Sequence, residues 1–142
     1  MAFWTDKEEV DKYIERIKNE VDGKKVEFNL HFWVAKEDNH AIGIIGLCDP
    51  LPKALPFAKS DMPGEIKILY VNNTHRGKGI GRKLVDFIEK EAIRQGYKEL
   101  LVRSVERYRE TAYGFYKRLG YVEVGTITNE NSNSMQVFEK LL

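Results

Sequence analysis

Three glycines spaced two apart, Gly77, Gly79 and Gly81, separate an apolar run from an amphipathic one in the segment Arg76-Gly77-Lys78-Gly79-Ile80-Gly81-Arg82-Lys83. Upstream, Glu65 to Val71 carries Ile66, Ile68, Leu69, Tyr70 and Val71 and reads as a buried strand, followed by a turn from Asn72 to His75. Downstream, Leu84, Val85, Ile88 and Ala92 share one helical face, and Gly96 stops that helix. A strand, a glycine turn and a helix must therefore follow one another without a linker. Glycine allows close approach to a ligand and backbone conformations that other residues avoid. The first amides of a helix are unpaired and partially positive, so phosphate binds there readily. Arg76, Lys78, Arg82 and Lys83 add formal charge at the same point. The expectation is a site for a di- or polyphosphate.

Known phosphate patterns narrow the choice. A P-loop needs Ser or Thr after Gly-Lys, whereas Lys78 is followed by Gly79 and no hydroxyl is placed for a magnesium ion. A dinucleotide fingerprint needs G-x-G-x-x-G, whereas the glycines here read G-x-G-x-G. The pattern that fits is R-x-x-G-x-G, met by Arg76, Gly79 and Gly81.

Composition would hide this site. The 142 residues carry 23 Lys plus Arg against 22 Asp plus Glu, a net charge of +1. Residues 76–118 hold 12 basic and 6 acidic residues, residues 1–75 hold 10 and 13, and residues 119–142 hold 1 and 3. An anionic partner belongs to the middle segment. The acidic first half mildly favours a cationic amine. With 42% hydrophobic residues the chain is a globular domain rather than a disordered one, and its length fits a single domain over residues 1–142. The single cysteine, Cys48, ends the apolar run from Ala41 to Leu47 and reads as a packed side chain. A lone cysteine, no signal peptide and no apolar run near ~20 residues point to a cytoplasmic protein outside the membrane.

The remaining elements follow from periodicity. Thr5 and Glu8 have capping-box spacing ahead of a helix over residues 5–21, with Val10, Tyr13, Ile14 and Ile17 on one face and Asp22-Gly23 at its end. Residues 26–36 alternate through Val26, Phe28, Leu30, Phe32 and Val34 and pair as a hairpin with Ala41 to Cys48. All four prolines, Pro50, Pro52, Pro56 and Pro63, fall in a loop over residues 49–63, which is long enough to be functional or mobile. Leu100 to Val105 is a strand, residues 107–119 a helix capped by Gly120, and Tyr121–Thr128 and Ser134–Leu141 a closing hairpin across the polar turn 129–133. The order is α-β-β-β-α-β-α-β-β, an α/β (α+β) arrangement with a mixed sheet flanked by helices.

A second constellation lies downstream: Ala112-Tyr113-Gly114-Phe115-Tyr116-Lys117-Arg118-Leu119-Gly120-Tyr121. With the strand Glu65–Val71 and the turn Arg76-x-x-Gly79-x-Gly81, in that order and spacing, it resembles the GNAT superfamily of acyl-CoA-dependent N-acetyltransferases. The resemblance covers roughly residues 26–128. It implies a mixed, mostly antiparallel central sheet splayed between its two middle strands, Glu65–Val71 and Leu100–Ser104. It implies acetyl-CoA as co-substrate, with the pyrophosphate on the backbone of Gly77, Lys78, Gly79, Ile80, Gly81 and Arg82 beside Arg76. The pantetheine arm would pair with Leu69, Tyr70 and Val71 and pass Ser104. An amide near Leu69 or Val71 would be the oxyanion donor.

The implied reaction moves an acetyl group from the thioester to a primary amine by direct attack in a ternary complex. Tyr116 stands where the family carries its general acid, and also touches the coenzyme. Glu65 stands where some members carry a carboxylate that acts as base through water. His31 and His75 read as structural, and no cluster has metal-ligand spacing, so no metal is expected. The acceptor would be a small-molecule or peptide amine, walled by loop 49–63 and the first helix. Nucleic acid and membrane are not expected as partners, and a homodimer rests on family analogy alone.

Three departures stand out. The family's first strand is missing or reduced to Ala2–Trp4, and its common Asn early in the Tyr-bearing helix is replaced by Tyr108 and Arg109. Gly114 inside that helix should cost ~1 kcal/mol relative to Ala, with packing against the coenzyme as the reason on offer. The alternative function is a non-catalytic acyl-CoA-binding domain with Tyr116 idle. An RNA-binding reading needs exposed aromatics among the basic residues, for which Tyr97, Tyr108 and Tyr113 are the candidates.

Overall fold

A computed structural model describes residues 1–19, 29–128 and 134–142. The expected helix end at Asp22-Gly23, the strand residues Val26 and Phe28 and the turn 129–133 lie outside the described residues.

The sheet is built from β1 (Ala2–Trp4), β2 (His31–Glu37), β3 (His40–Cys48), β4 (Pro63–Val71), β5 (Glu99–Val105), β6 (Val122–Thr128) and β7 (Ser134–Leu141). The helices are α1 (Lys7–Ile17), α2 (Ile80–Arg94) and α3 (Gly114–Arg118). Strand order is β1-β2-β3-β4-β5-β7-β6. Every neighbouring pair is antiparallel except β4 and β5, which run parallel. The connection between those two carries α2, as a parallel crossover requires.

The reduced first strand is present. Ala2–Trp4 pairs antiparallel with Val34–Lys36, and Phe3 stacks on Phe87 of α2 with centroids 4.0 Å apart. The capping box is not formed. Asp6 is the N-cap of α1, and its carboxylate accepts the Glu9 amide at 3.1 Å, so the cap lies one residue later than the Thr5–Glu8 spacing suggested. An ionised carboxylate at an N-cap is a strong acceptor, and it also faces the positive end of the helix dipole. The β2–β3 hairpin closes through Asp38 and Asn39, both at positive φ, the geometry of a two-residue primed turn.

Three apolar clusters fill the two faces of the sheet. On one face α2 buries Leu84, Val85, Ile88 and Ala92 against Ile42, Ile45, Leu47, Ile66, Leu100 and Val102, with Tyr116 and Phe138 alongside. On the other, α1 lays Val10, Tyr13 and Ile17 on Val34, Ile44, Ile68 and Tyr70. The segment between β3 and β4 covers the rest of that second face, where Ala54 packs with Leu101, Ile127 and Val137, and Phe57 lies against the same cluster.

The proline-rich segment is therefore a tied cover. The Glu99 carboxylate accepts the amides of Lys59 and Ser60 at 3.0–3.1 Å, and Glu65 Oε2 accepts the Leu51 amide at 3.1 Å. Pro63 opens β4 instead of ending the loop, a strand-start position that needs no ladder amide. Cys48 is buried, its thiol donating to the Glu65 carbonyl at 3.7 Å, and burial pushes the thiol up to about 12. It is a packing residue.

Phe57 sits where only a glycine can face it. A Cβ on Gly125 would come within 2.1 Å of the Phe57 ring. Gly125→Ala should lower unfolding stability by ~1–3 kcal/mol in chemical denaturation, the cost of overpacking a filled core. Adding Phe57→Leu should recover part of that loss.

Candidate functional site

The decisive geometry lies in β4. Its pairing with β3 runs Gly43–Val71, Ile44–Tyr70 and Ile45–Leu69, then resumes at Leu47–Ile66. Three steps along β4 therefore oppose two along β3, which is a β-bulge at Lys67–Ile68. Ile66 and Leu69 both face α2 although they are three apart, while Ile68 and Tyr70 face α1. A bulge bends its strand and raises the local twist. The parallel ladder with β5 stops at the same place: it runs from Pro63–Glu99 to Ile66–Val102 and goes no further. From Lys67 onward β4 diverges, while β5 stays with β7 as far as Val105–Met135.

The fork encloses a cleft of about 600 Å³, lined along β4 from Ile66 to Val71 and along β5 from Val102 to Val105. Beyond Ile66 the β5-facing edge of β4 has no strand partner among the described residues, so its backbone groups are available to an extended ligand. Of the residues named from the sequence, the cleft brings together Leu69, Tyr70, Val71, Arg76, Gly77, Gly79, Ile80, Gly81, Arg82, Ser104 and Tyr116. Two do not line it: Lys78, which is exposed, and Glu65.

The glycine turn forms the open end. Gly77 and Gly79 have φ of +79° and +78°, and a Cβ on either would meet nothing within 4 Å. These glycines are required for their backbone conformation, and they leave the approach clear. Gly79 is the N-cap of α2 and supplies no side-chain cap, and the first helical bond runs from the Lys83 amide to the Gly79 carbonyl at 3.1 Å. The amides of Ile80, Gly81 and Arg82 thus precede the intrahelical ladder and carry the positive end of the helix dipole. Arg76 is fixed beside them, its Nε donating to the Val71 carbonyl at 2.9 Å and its guanidinium over the Tyr70 ring at 5.3 Å. The turn fits a diphosphate: open backbone, unpaired amides, and Arg76 and Arg82 at its rim.

Tyr116 lies in the wall opposite β4. Its ring packs edge-on to Phe115 and Tyr121 and tilted against Phe138, at 5.3, 5.9 and 5.7 Å. Among the described residues its hydroxyl has no hydrogen-bond partner, and burial pushes the phenol above its ordinary value. By contrast, the Tyr121 hydroxyl is engaged, donating to Glu89 at 2.8 Å.

Glu65 is 1% exposed, with both carboxylate oxygens taken: Oε1 accepts from Arg103 Nε and Oε2 accepts from the Leu51 amide. It braces β5 and the covering segment instead of facing the cleft. Alternation places Glu65, Lys67 and Arg103 on the face opposite α2, and Lys67 and Arg103 line the cleft at the crotch of the fork. Sequence reasoning passed over both, because a lone lysine and a lone arginine in strands match no site pattern.

The single helix expected over 107–119 is three pieces. A 3-10 turn over Glu106–Tyr108 runs into a π-turn over Arg109–Tyr113, and only Gly114–Arg118 is α-helical. The wide π-turn keeps Thr111 and Ala112 in the cleft wall, where Arg107 and Tyr108 also lie. Tyr97 and Tyr113 are buried, so neither is a stacking platform for nucleic-acid bases. His31 is on the exposed start of β2, and His75 accepts or donates at Nδ1 to Thr74 Oγ1 at 2.9 Å.

Gly114 does not line the cleft. A Cβ there would meet only the flexible end of Arg118, at 3.2 Å, so contact with a ligand does not explain this glycine. Its φ and ψ of −63° and −36° suit any residue. Gly114→Ala should therefore stabilise the protein by ~0.5–1 kcal/mol, seen as a Tm rise of ~1–4 °C.

Comparison with known proteins gives matches in both sequence and structure. Residues 28–123 match a family model described as Acetyltransferase (GNAT) domain. The chain is 32% identical to human N-acetyltransferase 8B over 94 residues, covering 66% of this chain and 39% of that protein. It is also 32% identical to an IAA acetyltransferase of Azospirillum brasilense over 75 residues, 53% of this chain and 48% of that protein. The match thus spans less than half the length of each of these curated relatives. In structure it is similar to an aminoglycoside 6'-N-acetyltransferase crystallised with coenzyme A. There the TM-score is 0.74 at 16% identity, with 99% of this chain and 97% of that one covered.

Proposed function

This chain belongs to the GNAT acetyltransferase family, and from that premise we propose that it transfers the acetyl group of acetyl-CoA to a primary amine by direct attack in a ternary complex. The observation that carries the reading is the fork. A parallel strand pair parts at Ile66–Val102, and the gap runs from a closed, charged crotch to an open glycine turn at a helix N-terminus. The diphosphate-fitting turn and the unpaired strand edge suit the two halves of coenzyme A, which is also bound in the aminoglycoside acetyltransferase of similar fold.

In this reading the amides of Gly77 and Gly79 to Arg82 hold the pyrophosphate, and Lys78 contributes backbone only. The β4 edge from Leu69 to Val71 aligns the pantetheine arm, and an amide at Leu69 or Val71 donates to the thioester oxygen as charge builds there. The bulge is what points β4 backbone groups into the gap. Ser104 and Phe115 bound the arm's path. Acetyl-CoA supplies the activated acyl carbon. The new C–N bond forms as the C–S bond breaks, so the amine must lose a proton and the departing sulfur must gain one or be stabilised.

Tyr116 is the donor for the sulfur. Among the described residues its hydroxyl has no competing partner, and burial keeps the phenol protonated, so it can hydrogen-bond the sulfur as negative charge forms there. Glu65 does not take the amine's proton in this reading. Its carboxylate is saturated by Arg103 and Leu51, and its task is to hold Arg103. The amine's proton leaves to water through the mouth of the cleft.

Assay of a panel of primary amines for release of free coenzyme A tests the activity. Tight acetyl-CoA binding with no turnover of any amine would favour the non-catalytic acyl-CoA-binding reading instead. Tyr116→Phe should lower kcat ~10²-fold with acetyl-CoA affinity held within about 2-fold, the scale of a lost proton donor. Because burial raises the phenol, the wild-type rate should show no alkaline fall assignable to Tyr116 below pH ~10. Gly79→Glu should abolish acetyl-CoA binding in titration calorimetry, by charge repulsion at the pyrophosphate and by forcing a side chain into the +78° backbone. Normal affinity in that variant would remove the glycine turn from the site.

A further inference from the structure

The crotch of the fork carries charges that the transfer chemistry does not use. Lys67 is the first residue of β4 past the ladder and Arg103 the first of β5. Both line the cleft on the face opposite α2. Arg103 spends its Nε on Glu65, whose carboxylate is 1% exposed, and that pair is electrically neutral. Four of the five guanidinium donors remain. Lys67 is half-buried and has no hydrogen bond or ion pair with any described residue. Cys48, close behind, is a neutral thiol. The crotch therefore holds an uncompensated positive charge in a partly desolvated wall.

We propose that Lys67 and Arg103 form an anion subsite, and that the acceptor is an amine that also bears a carboxylate, which docks on this pair while its amine faces the acyl carbon. This rests on the acetyl-transfer reading above and narrows its substrate class. The geometry separates the two ligands by face. The glycine turn, Phe115 and Tyr116 line the gap from the α2 and α3 face, whereas Lys67 and Arg103 line it at the crotch on the opposite face, apart from the groups assigned to the coenzyme. Burial, then the neighbouring Arg103 charge, pushes the Lys67 ammonium below its ordinary value, as for a cation lacking a counter-ion. A bare polyamine would add positive charge at a point that already has an excess. The acidic balance of residues 1–75, which favours a cationic acceptor in the sequence, does not describe the cleft. Glu65 is neutralised inside it, and Lys67 comes from that same segment.

The test uses the whole chain with acetyl-CoA and a ladder of ω-amino acids from glycine to 6-aminohexanoate, plus L-phenylalanine, each paired with its carboxamide. Free coenzyme A release is measured as kcat/KM. In the wild type at least one acid should exceed its amide by ~10-fold or more, the scale of one charge-assisted contact, chiefly through KM. Lys67→Met should bring that acid-to-amide ratio towards 1, and Lys67→Arg should restore most of it. The ratio is read within one variant, so a general loss of activity does not mimic the effect. Amides turned over as well as or better than their acids in the wild type would overturn the anion subsite and leave the acetyltransferase reading standing. So would a ratio unchanged in Lys67→Met. Acetyl-CoA bound but no amine of either series acetylated would overturn both.

Discussion

The odd spacing between Ile66 and Leu69, two residues three apart that face the same helix, is the constraint on which the rest of the molecule depends. A regular strand puts alternate residues on alternate faces. The extra residue in β4 breaks that rule, and its consequences spread outward. The strand bends away from β5, the parallel ladder ends at Ile66–Val102, and the sheet opens while each half keeps its ladder to its outer neighbour on both sides of the bulge. A gap in the middle of a sheet is normally costly because unpaired backbone groups lose water. Here the gap is wide enough to stay solvated or to take an extended ligand, so the cost becomes a binding edge.

The closed end of the gap is held by buried polar groups instead of apolar packing. Glu65 ties Arg103 to Leu51, and Glu99 ties β5 to the Lys59–Ser60 backbone. Each carboxylate takes amides that a proline-rich segment would otherwise leave unpaired under the sheet. Glu139, next to Glu99, is pushed up by burial and by its acidic neighbour, and Lys59 pairs with it at 3.4 Å from the covering segment. The crossover segment and the strand pair are thus mutually dependent. The cover needs the carboxylates, and the carboxylates are buried only because the cover is there.

Much of this was legible as pattern. The glycine turn, the strand before it, the helix after it and the Tyr116 helix end were readable because each rests on local chemistry: φ > 0 at glycine, apolar periodicity, a left-handed cap at Gly120. The elements placed wrongly share a different cause. The N-cap moved from Thr5 to Asp6 because a charged acceptor one residue on was better. The uniform helix over 107–119 became a 3-10 turn, a π-turn and a short α-helix, because the segment must arch around the cleft wall while keeping Tyr113 and Tyr116 in the core. The 49–63 segment looked like an open loop because proline content reports missing donors, not what covers them.

Sequence alone determined the order of elements, the strand–turn–helix junction, and the placement of positive charge in residues 76–118. All are local properties: side-chain period, backbone freedom and formal charge travel with the residues. Tertiary structure decided which charges count. Glu65 reads as a free carboxylate at a strand start, yet it is consumed by Arg103 and Leu51. Lys67 carries no signal in the sequence, yet it lines the crotch of the fork with no ion pair among the described residues. Those roles depend on contacts between residues 14 and 38 positions apart and on a bulge whose register exists only once β3 is paired with β4. No local pattern encodes them, because a partner's distance, not its presence in the chain, sets what a buried charge can do.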